Sequence, residues 1–361
     1  MRRLFLSKDK KESLKRRKKL CDDKFNILFV TFGGIGESLI SANYIYHFKK
    51  NNGDNVHIDV VDVHKNEIRN MIFSAITSDD TQVFGMEFEP FFDEYDAIIR
   101  IVRYPVILKC NLKKTQMIVP ELLKLLETWN SFYDSHREMI DKHPRLDCIG
   151  ISECIKNGQK RYQQPDIDGF LGIEDLDCPI KHPDTGILDR YGINSDYITI
   201  NMDTGFNNSK STKLWSQSYS DEIIELIKEQ YPKMIIVLMG AAIPNEKKSP
   251  EKCIDLRGET SFEEMMELLE KATLHLSGEG LSVHIRHLLS KRKSIVLFGP
   301  TSPIFYGYDE NDNISKPCTL GPCEWTTDHW YRECTLTGDG PKCLSDIHPN
   351  DVLKKITDYL G

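Results

Sequence analysis

The sequence predicts two doubly wound α/β domains, each with a mostly parallel sheet between layers of helices. Short apolar runs of strand length alternate with helical patterns along most of the chain, which is typical of parallel sheets flanked by helices. This alternation occurs twice, separated by a stretch within 105–195 that becomes polar and loop-rich. A length of 361 residues is also too great for one ordinary core and suits two domains.

The first half begins with its clearest strand. Residues 26–32 (NILFVTF) are a compact apolar run that leads into a glycine-rich turn and then a helix with one apolar side. Further strands are predicted over 56–61 and 97–101, and a helix over 120–133. Because prolines and polar residues follow that helix, we expect the domain boundary within 178–195.

The second half repeats the theme with stronger patterns. Thr260 and Glu263 have the spacing of a capping box that would open a helix, and Pro349 suits the first turn of the last helix. The predicted strands are 197–201, 233–239, 273–277 and 294–298, and the predicted helices are 221–229, 260–271, 281–290 and 350–360. The predicted parts of the chain are an N-terminal tail (1–24), a first domain (25–185), a second domain (186–348) and a C-terminal helix (349–361).

Charge is distributed unevenly along the chain. Residues 1–24 carry a net charge of +7, so the remainder carries −15 although the total is −8. A body this acidic argues against nucleic acid as the main partner. The basic tail is predicted to be solvated, with docking on an anionic membrane surface as the alternative. No apolar run approaches the ~20 residues of a membrane span, and no signal peptide is recognisable, so we expect a cytoplasmic protein.

A glycine-rich turn follows the first strand. Gly33 and Gly34 would let backbone amides approach a ligand at the N-terminus of a helix, where anionic groups are favoured. Glu37 falls in the first turn of that helix. Its carboxylate could act as a general base or could complement the helix dipole, and the residues alone favour the dipole.

The second half has polar groups after its first strand. Thr204, Lys210 and Lys213 lie between that strand and the next helix. Small hydroxyl residues followed by lysine suit a diphosphate, whose charge the lysine would neutralise. The alternative is an exposed basic loop, and the residues do not decide between the two.

A second glycine-rich turn, Gly278-Glu279-Gly280-Leu281, lies between a predicted strand and helix. Its backbone amides would face the same ligand. His284 lies on the helix that follows, where a lone histidine more often packs than binds. Two Asp-x-Asp pairs, at 166–168 and 175–177, lie in polar loops without a preceding strand and are interpreted as acidic loop residues.

Four of the ten cysteines crowd near the C-terminus. Cys318, Cys323, Cys334 and Cys343 fall within 318–343, a density typical of a closed metal site, although the spacing is looser than that of paired knuckles. Free thiols are the alternative, and disulfides are disfavoured in a reducing compartment.

Taken together, these segments resemble the heptosyltransferase family, glycosyltransferase family 9. That family has Gly-Asp, Lys-x-Trp-Pro, Gly-Gly or Gly-Ala, Asp-Ser/Thr-Gly-x-x-His and Leu-Phe-Gly-Pro-Thr segments in order. The matching residues here are Gly36-Glu37, Lys213-Leu214-Trp215-Ser216, Gly240-Ala241, Gly278-Glu279-Gly280 with His284, and Leu297-Phe298-Gly299-Pro300-Thr301. Glu37 stands where the family has its catalytic aspartate, Ser216 replaces a proline, and the turn before His284 lacks the usual aspartate.

The resemblance implies a GT-B fold, with two Rossmann-like domains facing each other across a cleft. The first domain would bind the acceptor near Gly33 and Gly34, and Glu37 would be the catalytic base. The second domain would bind the nucleotide sugar. The implied donor-binding residues are Thr204, Lys210, Lys213, Gly240, Glu279, Gly280, Leu281 and His284.

The implied activity is inverting transfer of heptose from ADP-heptose to a hydroxyl, without a catalytic cofactor. The family's usual acceptor is an inner-core sugar of lipopolysaccharide, which would suit a protein at the cytoplasmic face of the inner membrane. The alternatives are a protein O-heptosyltransferase, a sugar-nucleotide-binding protein that has lost catalysis and, less favoured, a UDP-sugar epimerase. The four cysteines would hold a structural zinc or iron.

Overall fold

The computed structural model describes residues 23–77, 81–86, 94–202, 211–241, 253–338 and 340–361. The chain forms two units. Unit 1 runs to Asp141 and takes up Tyr162–Lys181, whereas unit 2 comprises Lys142–Arg161 and His182–Gly361. The division therefore differs from the predicted continuous domain over 25–185. The difference arises because the helix within 142–161 packs against a short helix of the second half, Pro303–Tyr306.

Unit 1 contains a five-stranded sheet. Its strands are β1 (Phe25–Thr31), β2 (Val56–Asp62), β3 (Val83–Phe84), β4 (Ala97–Ile101) and β5 (Pro105–Cys110). Its helices are α1 (Ile35–Asn52), α2 (Asn66–Ile72), α3 (Leu112–Ile118) and α4 (Leu122–Asp141). The strand order is β3-β2-β1-β4-β5, and all pairs are parallel except β4 with β5.

The central strands of unit 1 are buried along their whole length. All seven residues of β1 are buried, as are those of β2, which explains why β1 is a continuous apolar run. The polar residues of β2 are compensated by hydrogen bonds, since Asp59 accepts from the Tyr95 hydroxyl at 2.6 Å and from the Gln82 amide at 2.9 Å. The antiparallel edge strand β5 was not predicted, because it is short and only two of its six residues are buried.

Unit 2 contains a six-stranded sheet in which every pair is parallel. Its strands are β6 (Tyr197–Asn201), β7 (Ile235–Leu238), β8 (Ile254–Asp255), β9 (Leu274–Gly278), β10 (Ser294–Phe298) and β11 (Asp312–Ser315). Its helices are α5 (Asp147–Lys156), α6 (Ile187–Arg190), α7 (Gln217–Gln230), α8 (Phe262–Lys271), α9 (Leu281–Ser290), α10 (Pro303–Tyr306), α11 (Lys342–Ser345) and α12 (Pro349–Leu360). The strand order is β11-β10-β9-β6-β7-β8.

The structure can be compared with the predicted starts of two helices in unit 2. The capping box of α8 uses Ser261 and Glu264, one residue later than the predicted Thr260 and Glu263 pair. The shift follows from the side chains, because Ser261 accepts from the Glu264 amide while Glu264 accepts from the Ser261 amide at 2.8 Å. Pro349 occupies the first turn of α12, as predicted.

Each sheet has one point where the order of the strands reverses. In unit 1 it lies between β1 and β4, and in unit 2 between β6 and β9. Ligands of doubly wound sheets bind beyond the carboxyl ends of the strands at this switch point. The residues that follow these four strands are therefore the first candidates for function.

Candidate functional site

The turn after β1 in unit 1 brings a carboxylate to the switch point. Gly33 has a φ of +112°, and a Cβ there would lie 2.9 Å from Glu37 Cγ, so only glycine fits. Gly34 precedes α1 and has open space where a Cβ would be. Glu37 lies in the first turn of α1, and its side chain keeps a quarter of its surface exposed.

An arginine from the neighbouring strand pairs with this carboxylate. Arg103 follows β4, and its Nη2 lies 3.4 Å from Glu37 Oε1. The arginine is almost fully buried, so it is held by the fold while the glutamate remains accessible. The two strands at the switch point thus contribute one member each to an ion pair.

A buried aspartate ties this turn to the sheet. Asp62, the last residue of β2, accepts hydrogen bonds from the hydroxyls of Thr31 at 2.7 Å and Ser38 at 2.6 Å, and from the His64 amide at 2.9 Å. Thr31 ends β1, and Ser38 directly follows Glu37 in α1. Asp62 therefore fixes the first turn of the helix relative to the strand end.

In unit 2 a lysine and a glutamate meet beside the switch point. The Lys213 ammonium lies 2.5 Å from Glu279 Oε2, and both side chains are largely buried. Burial by itself would raise the pKa of Glu279, but the charges of Lys213 and His284 and the neighbouring Thr301 outweigh it and hold that pKa below its usual value. The carboxylate is therefore ionised at neutral pH.

The turn around Glu279 is shaped by close packing. A Cβ on Gly278 would lie 3.3 Å from the Lys213 carbonyl oxygen, so glycine permits the approach of the two segments. Helix α9 starts just after Gly280, and no side chain caps it. Leu281 is the first residue of this ten-residue helix, and the first amides of a helix have no acceptor within the helix itself.

A line of aromatic and titratable side chains continues from this pair. His284 Nδ1 lies 2.6 Å from the Tyr308 hydroxyl, and the His287 ring stacks on Tyr308 with centroids 3.8 Å apart. His287 in turn bonds Glu310 at 2.6 Å. Both histidines and Tyr308 are buried, so packing and hydrogen bonding are combined at these positions.

The sequence model of one glycosyltransferase family matches this chain. Residues 162–323 match glycosyltransferase family 9 (heptosyltransferase). The chain is therefore similar to family 9 glycosyltransferases over this range. The matched range contains the Lys213–Glu279 pair, whereas Glu37 and Arg103 lie before it. No curated protein matches the chain by sequence.

Solved structures share the fold of this chain. Heptosyltransferase II from E. coli, described as ADP-heptose LPS heptosyltransferase II, is 15% identical with a TM-score of 0.57 and covers 93% of this chain and 98% of its own. A family 9 glycosyl transferase from Veillonella parvula is 12% identical (TM-score 0.51, coverage 94% and 98%). The iron-containing dodecameric heptosyltransferase TibC of enterotoxigenic E. coli, in complex with ADP-D-β-D-heptose, is 13% identical (TM-score 0.57, coverage 94% and 78%). These likenesses confirm the predicted GT-B fold class.

The remaining predicted donor residues of this chain are distributed differently. Thr204 and Lys210 lie outside the described residues. Gly240 follows β7 with a φ of +128°, and its neighbour Ala241 lines a cavity of about 960 Å³. Thr212 and Leu214, the two neighbours of Lys213 in the chain, line the same cavity, as do Ile200, Met239, Trp215 and Ser220. The structure thus brings the segment that carries Lys213 and the turn after β7 to one cavity of unit 2.

The four clustered cysteines influence one another electrostatically. Burial, together with charge interactions with Cys318, Cys323 and Cys334, raises the pKa of Cys343 to about 11. In the part of the chain that the structure describes, however, no group of three or more His, Cys, Asp or Glu residues is close enough to hold a metal ion. The described cysteines are all free thiols. The predicted metal centre is therefore not found among the described residues.

The segment 318–343 packs against the parts of unit 2 next to Lys213 and Thr301. The Thr212 hydroxyl donates to the Trp330 carbonyl at 2.7 Å, and the Pro300 carbonyl accepts from the Cys323 amide at 2.9 Å. Thr212 precedes Lys213, and Pro300 precedes Thr301. The cysteine-rich segment thus braces the two chain segments that carry partners of Glu279.

Arg103, Asp62 and Tyr308 were not found by sequence reasoning. A charged residue just after an apolar strand was the available signal for Arg103, and a buried-strand aspartate was the signal for Asp62. Tyr308 offered no such signal, because its role depends on a contact with a helix 24 residues earlier. Among the described residues, no helix is long and apolar enough to cross a membrane.

Proposed function

We propose that the protein transfers heptose from ADP-heptose to a sugar hydroxyl with inversion at the anomeric carbon. The observation that carries this proposal is the accessible Glu37 carboxylate at the unit 1 switch point, held by the buried Arg103. A carboxylate in this position can accept a proton from a hydroxyl group. The proposal assigns the acceptor to unit 1 and the nucleotide sugar to unit 2.

The proposed reaction uses few groups. A Glu37 oxygen takes the proton of the acceptor hydroxyl, whose oxygen attacks the anomeric carbon from the face opposite the diphosphate. The bond between that carbon and the phosphate oxygen breaks, and ADP leaves with the electron pair. Lys213 and the first amides of α9 stabilise the charge that develops on the diphosphate. No catalytic cofactor is needed for this step.

The donor assignment is supported by the relatives. Heptosyltransferase II is described as acting with ADP-heptose, and TibC was solved with ADP-D-β-D-heptose. Lys213 is a suitable partner for such a diphosphate, because an ammonium group pairs well with phosphate oxygens. We propose an inner-core sugar of lipopolysaccharide as the acceptor, with a protein hydroxyl as the alternative outcome of an acceptor panel.

The test is release of ADP from ADP-heptose in the presence of candidate acceptors. Glu37→Gln keeps the size of the side chain and its ability to form hydrogen bonds but removes the basic carboxylate. The rate of ADP release should therefore fall by roughly 100-fold or more. Glu67→Gln, at an exposed position in the first turn of α2, is the matched control and should retain full activity. Full turnover by the Glu37 variant would refute the base assignment, and donor binding without turnover on any acceptor would favour a binding protein.

We also propose that the four cysteines of segment 318–343 hold a structural zinc or iron once the sulfur atoms close around it. The four thiols already influence one another's pKa values. Four cysteine sulfur atoms are also a suitable set of ligands for zinc or iron. Elemental analysis of the purified protein tests this: one metal per chain, lost in a Cys323→Ser variant, is expected. A metal-free wild-type protein of normal thermal stability would overturn it.

The basic segment 1–24 is proposed to bring the enzyme to the cytoplasmic face of an anionic membrane. Vesicles with and without anionic lipid test this, because only the former should bind the protein at low salt. Equal binding to neutral vesicles would contradict an electrostatic mechanism.

A further inference from the structure

The Lys213–Glu279 pair presents an electrostatic problem for a nucleotide ligand. A buried, ionised carboxylate lies 2.5 Å from the ammonium that the diphosphate needs. Before the nucleotide binds, the pair is neutral. When the diphosphate arrives, it adds negative charge next to Glu279, in a site where solvent screening is weak.

Three other groups face this carboxylate or its neighbours. Thr301, in the segment after β10, is a neighbour of Glu279, but its hydroxyl group cannot change its charge. His284 faces Glu279 from α9 and interacts with its charge. Tyr308 bonds His284 from the segment after α10. His284 is therefore the group beside Glu279 that can add a positive charge near neutral pH.

The neighbouring histidine is differently situated. The ring of His287 stacks on Tyr308, the same tyrosine that bonds His284. Its Nδ1 atom lies 2.6 Å from a carboxylate oxygen of Glu310. Because His287 already has a carboxylate partner of its own, it serves as the comparison for His284. The same helix therefore supplies both a responsive histidine and an internal control.

We propose that binding of the nucleotide sugar at Lys213 is coupled to the uptake of one proton from solvent by His284. The ring then carries the positive charge that Glu279 loses when Lys213 turns to the phosphates. The Tyr308 hydroxyl can serve both forms, because it can donate to the neutral ring and accept from the charged ring. The inference rests on the proposed function, since it takes a diphosphate as the ligand of Lys213.

Titration calorimetry measures this coupling directly. ADP-heptose is added to the full-length protein at one pH near neutrality, without acceptor, in buffers with different ionisation enthalpies. Both phosphates of the ligand are esterified, so the ligand itself does not titrate in this range. The observed heat should vary with the buffer in the direction of proton uptake, at roughly half a proton or more per nucleotide.

Two variants locate the proton. His284→Gln retains a hydrogen-bonding group for Tyr308 and should abolish most of the uptake, whereas His287→Gln should retain it. Glu279→Gln removes the buried negative charge and should bind ADP-heptose about tenfold more tightly. Thermal unfolding of each variant shows that it is folded, and the Glu279 variant provides a second readout if His284→Gln is unstable.

Each outcome separates this inference from the proposed function. Tight binding of ADP-heptose with no buffer dependence overturns proton uptake and leaves the proposed function standing. Undiminished uptake in His284→Gln overturns the assignment to that residue. Uptake with a UDP- or GDP-sugar but no binding of ADP-heptose supports the coupling and overturns the donor. Absence of binding by any nucleotide sugar overturns both.

Discussion

At the scale of single residues, the two charged pairs at the switch points differ in exposure. A quarter of the Glu37 side chain is exposed, against 7% for Glu279. An accessible carboxylate can exchange protons with a substrate, whereas a buried one is suited to holding a partner in position. The difference explains why the proposed roles of the two glutamates are not interchangeable.

Asp62 should affect catalysis without touching substrate. Asp62→Asn weakens the bonds to the Thr31 and Ser38 hydroxyls, so the turn that carries Glu37 loses its fixed position. We expect kcat to fall by about 10- to 100-fold while the affinity for ADP-heptose stays unchanged. Ser38→Ala should give a smaller effect in the same direction, and the exposed Asp54→Asn none. A loss confined to donor affinity would contradict this positioning role.

His275 should make the stability of the fold depend on pH. Burial, with a contribution from Arg286, lowers its pKa to about 3, and the neutral ring joins Thr199 to Ser282. Below about pH 6.5 this histidine is protonated in the unfolded chain, whereas it stays neutral in the folded chain. Stability contributed by the neutral ring should therefore decline as pH falls from 6.5 towards 3, by up to about 1.4 kcal/mol per pH unit.

Chemical denaturation at a series of pH values between 7 and 5 checks this slope. Replacement of His275 by Asn should reduce the slope, although it also lowers the overall stability. The exposed His329→Asn is the control and should leave the slope unchanged. An equal slope in wild type and the His275 variant would show that other groups govern the acid sensitivity.

At the scale of elements, the turn between β1 and α1 is the most constrained part of the site. Gly33 and Gly34 are adjacent, but only Gly33 combines a positive φ with a close contact to Glu37. Gly33→Ala should therefore destabilise the protein by about 1–3 kcal/mol and displace the carboxylate. Gly34→Ala, whose φ is −77°, should be tolerated for stability.

Comparing the two alanine variants by denaturation and by ADP release separates strain from simple loss of flexibility. If both substitutions cost the same, the turn would be sensitive to any side chain, and the argument from φ would fail. If Gly34→Ala lowers activity at full stability, the open space beside Gly34 is needed by a ligand.

Elements dominated by local pattern could be predicted from the sequence. The fully buried β1, the apolar stripe of α7 and the proline start of α12 all follow from patterns of a few neighbouring residues. Contacts between distant segments could not be predicted. Arg103 reaches Glu37 only because β4 lies beside β1, and strand order is a property of the whole sheet.

The same distinction applies to the second site. Lys213 and Glu279 were both singled out as donor residues, but their pairing with each other was not foreseen, since it depends on β6 lying beside β9. The cysteine spacing predicted a metal site, but the described residues contain no group of three or more His, Cys, Asp or Glu that could hold a metal ion. The positions of these thiols depend on loop conformations that spacing does not determine.

At the scale of the whole molecule, each unit has its own sheet and its own buried cluster. The core of unit 2 gathers residues from β6 to α12, whereas a separate cluster surrounds β1 and β2. Units built this way can open independently. A ligand of unit 2 should therefore stabilise that unit first.

Hydrogen exchange with and without ADP-heptose tests this expectation. At a ligand concentration 100 times Kd, opening that releases the ligand becomes about 2.7 kcal/mol less favourable. The gain in protection should be largest in β6, β9 and α9 and small in β2. Lys213→Ala should remove it. Protection that rises equally in both units would mean that they open together.

The path of the chain between the units has a consequence for synthesis on the ribosome. The chain leaves unit 1 after Asp141 and re-enters it at Tyr162, and the excursion contains α5. Its packing partner α10 is translated about 150 residues later, roughly ten seconds or more at ordinary elongation rates. During that interval the apolar face of α5 has no native partner from α10. The nascent chain therefore has a defined period in which binding to a chaperone would prevent misassociation.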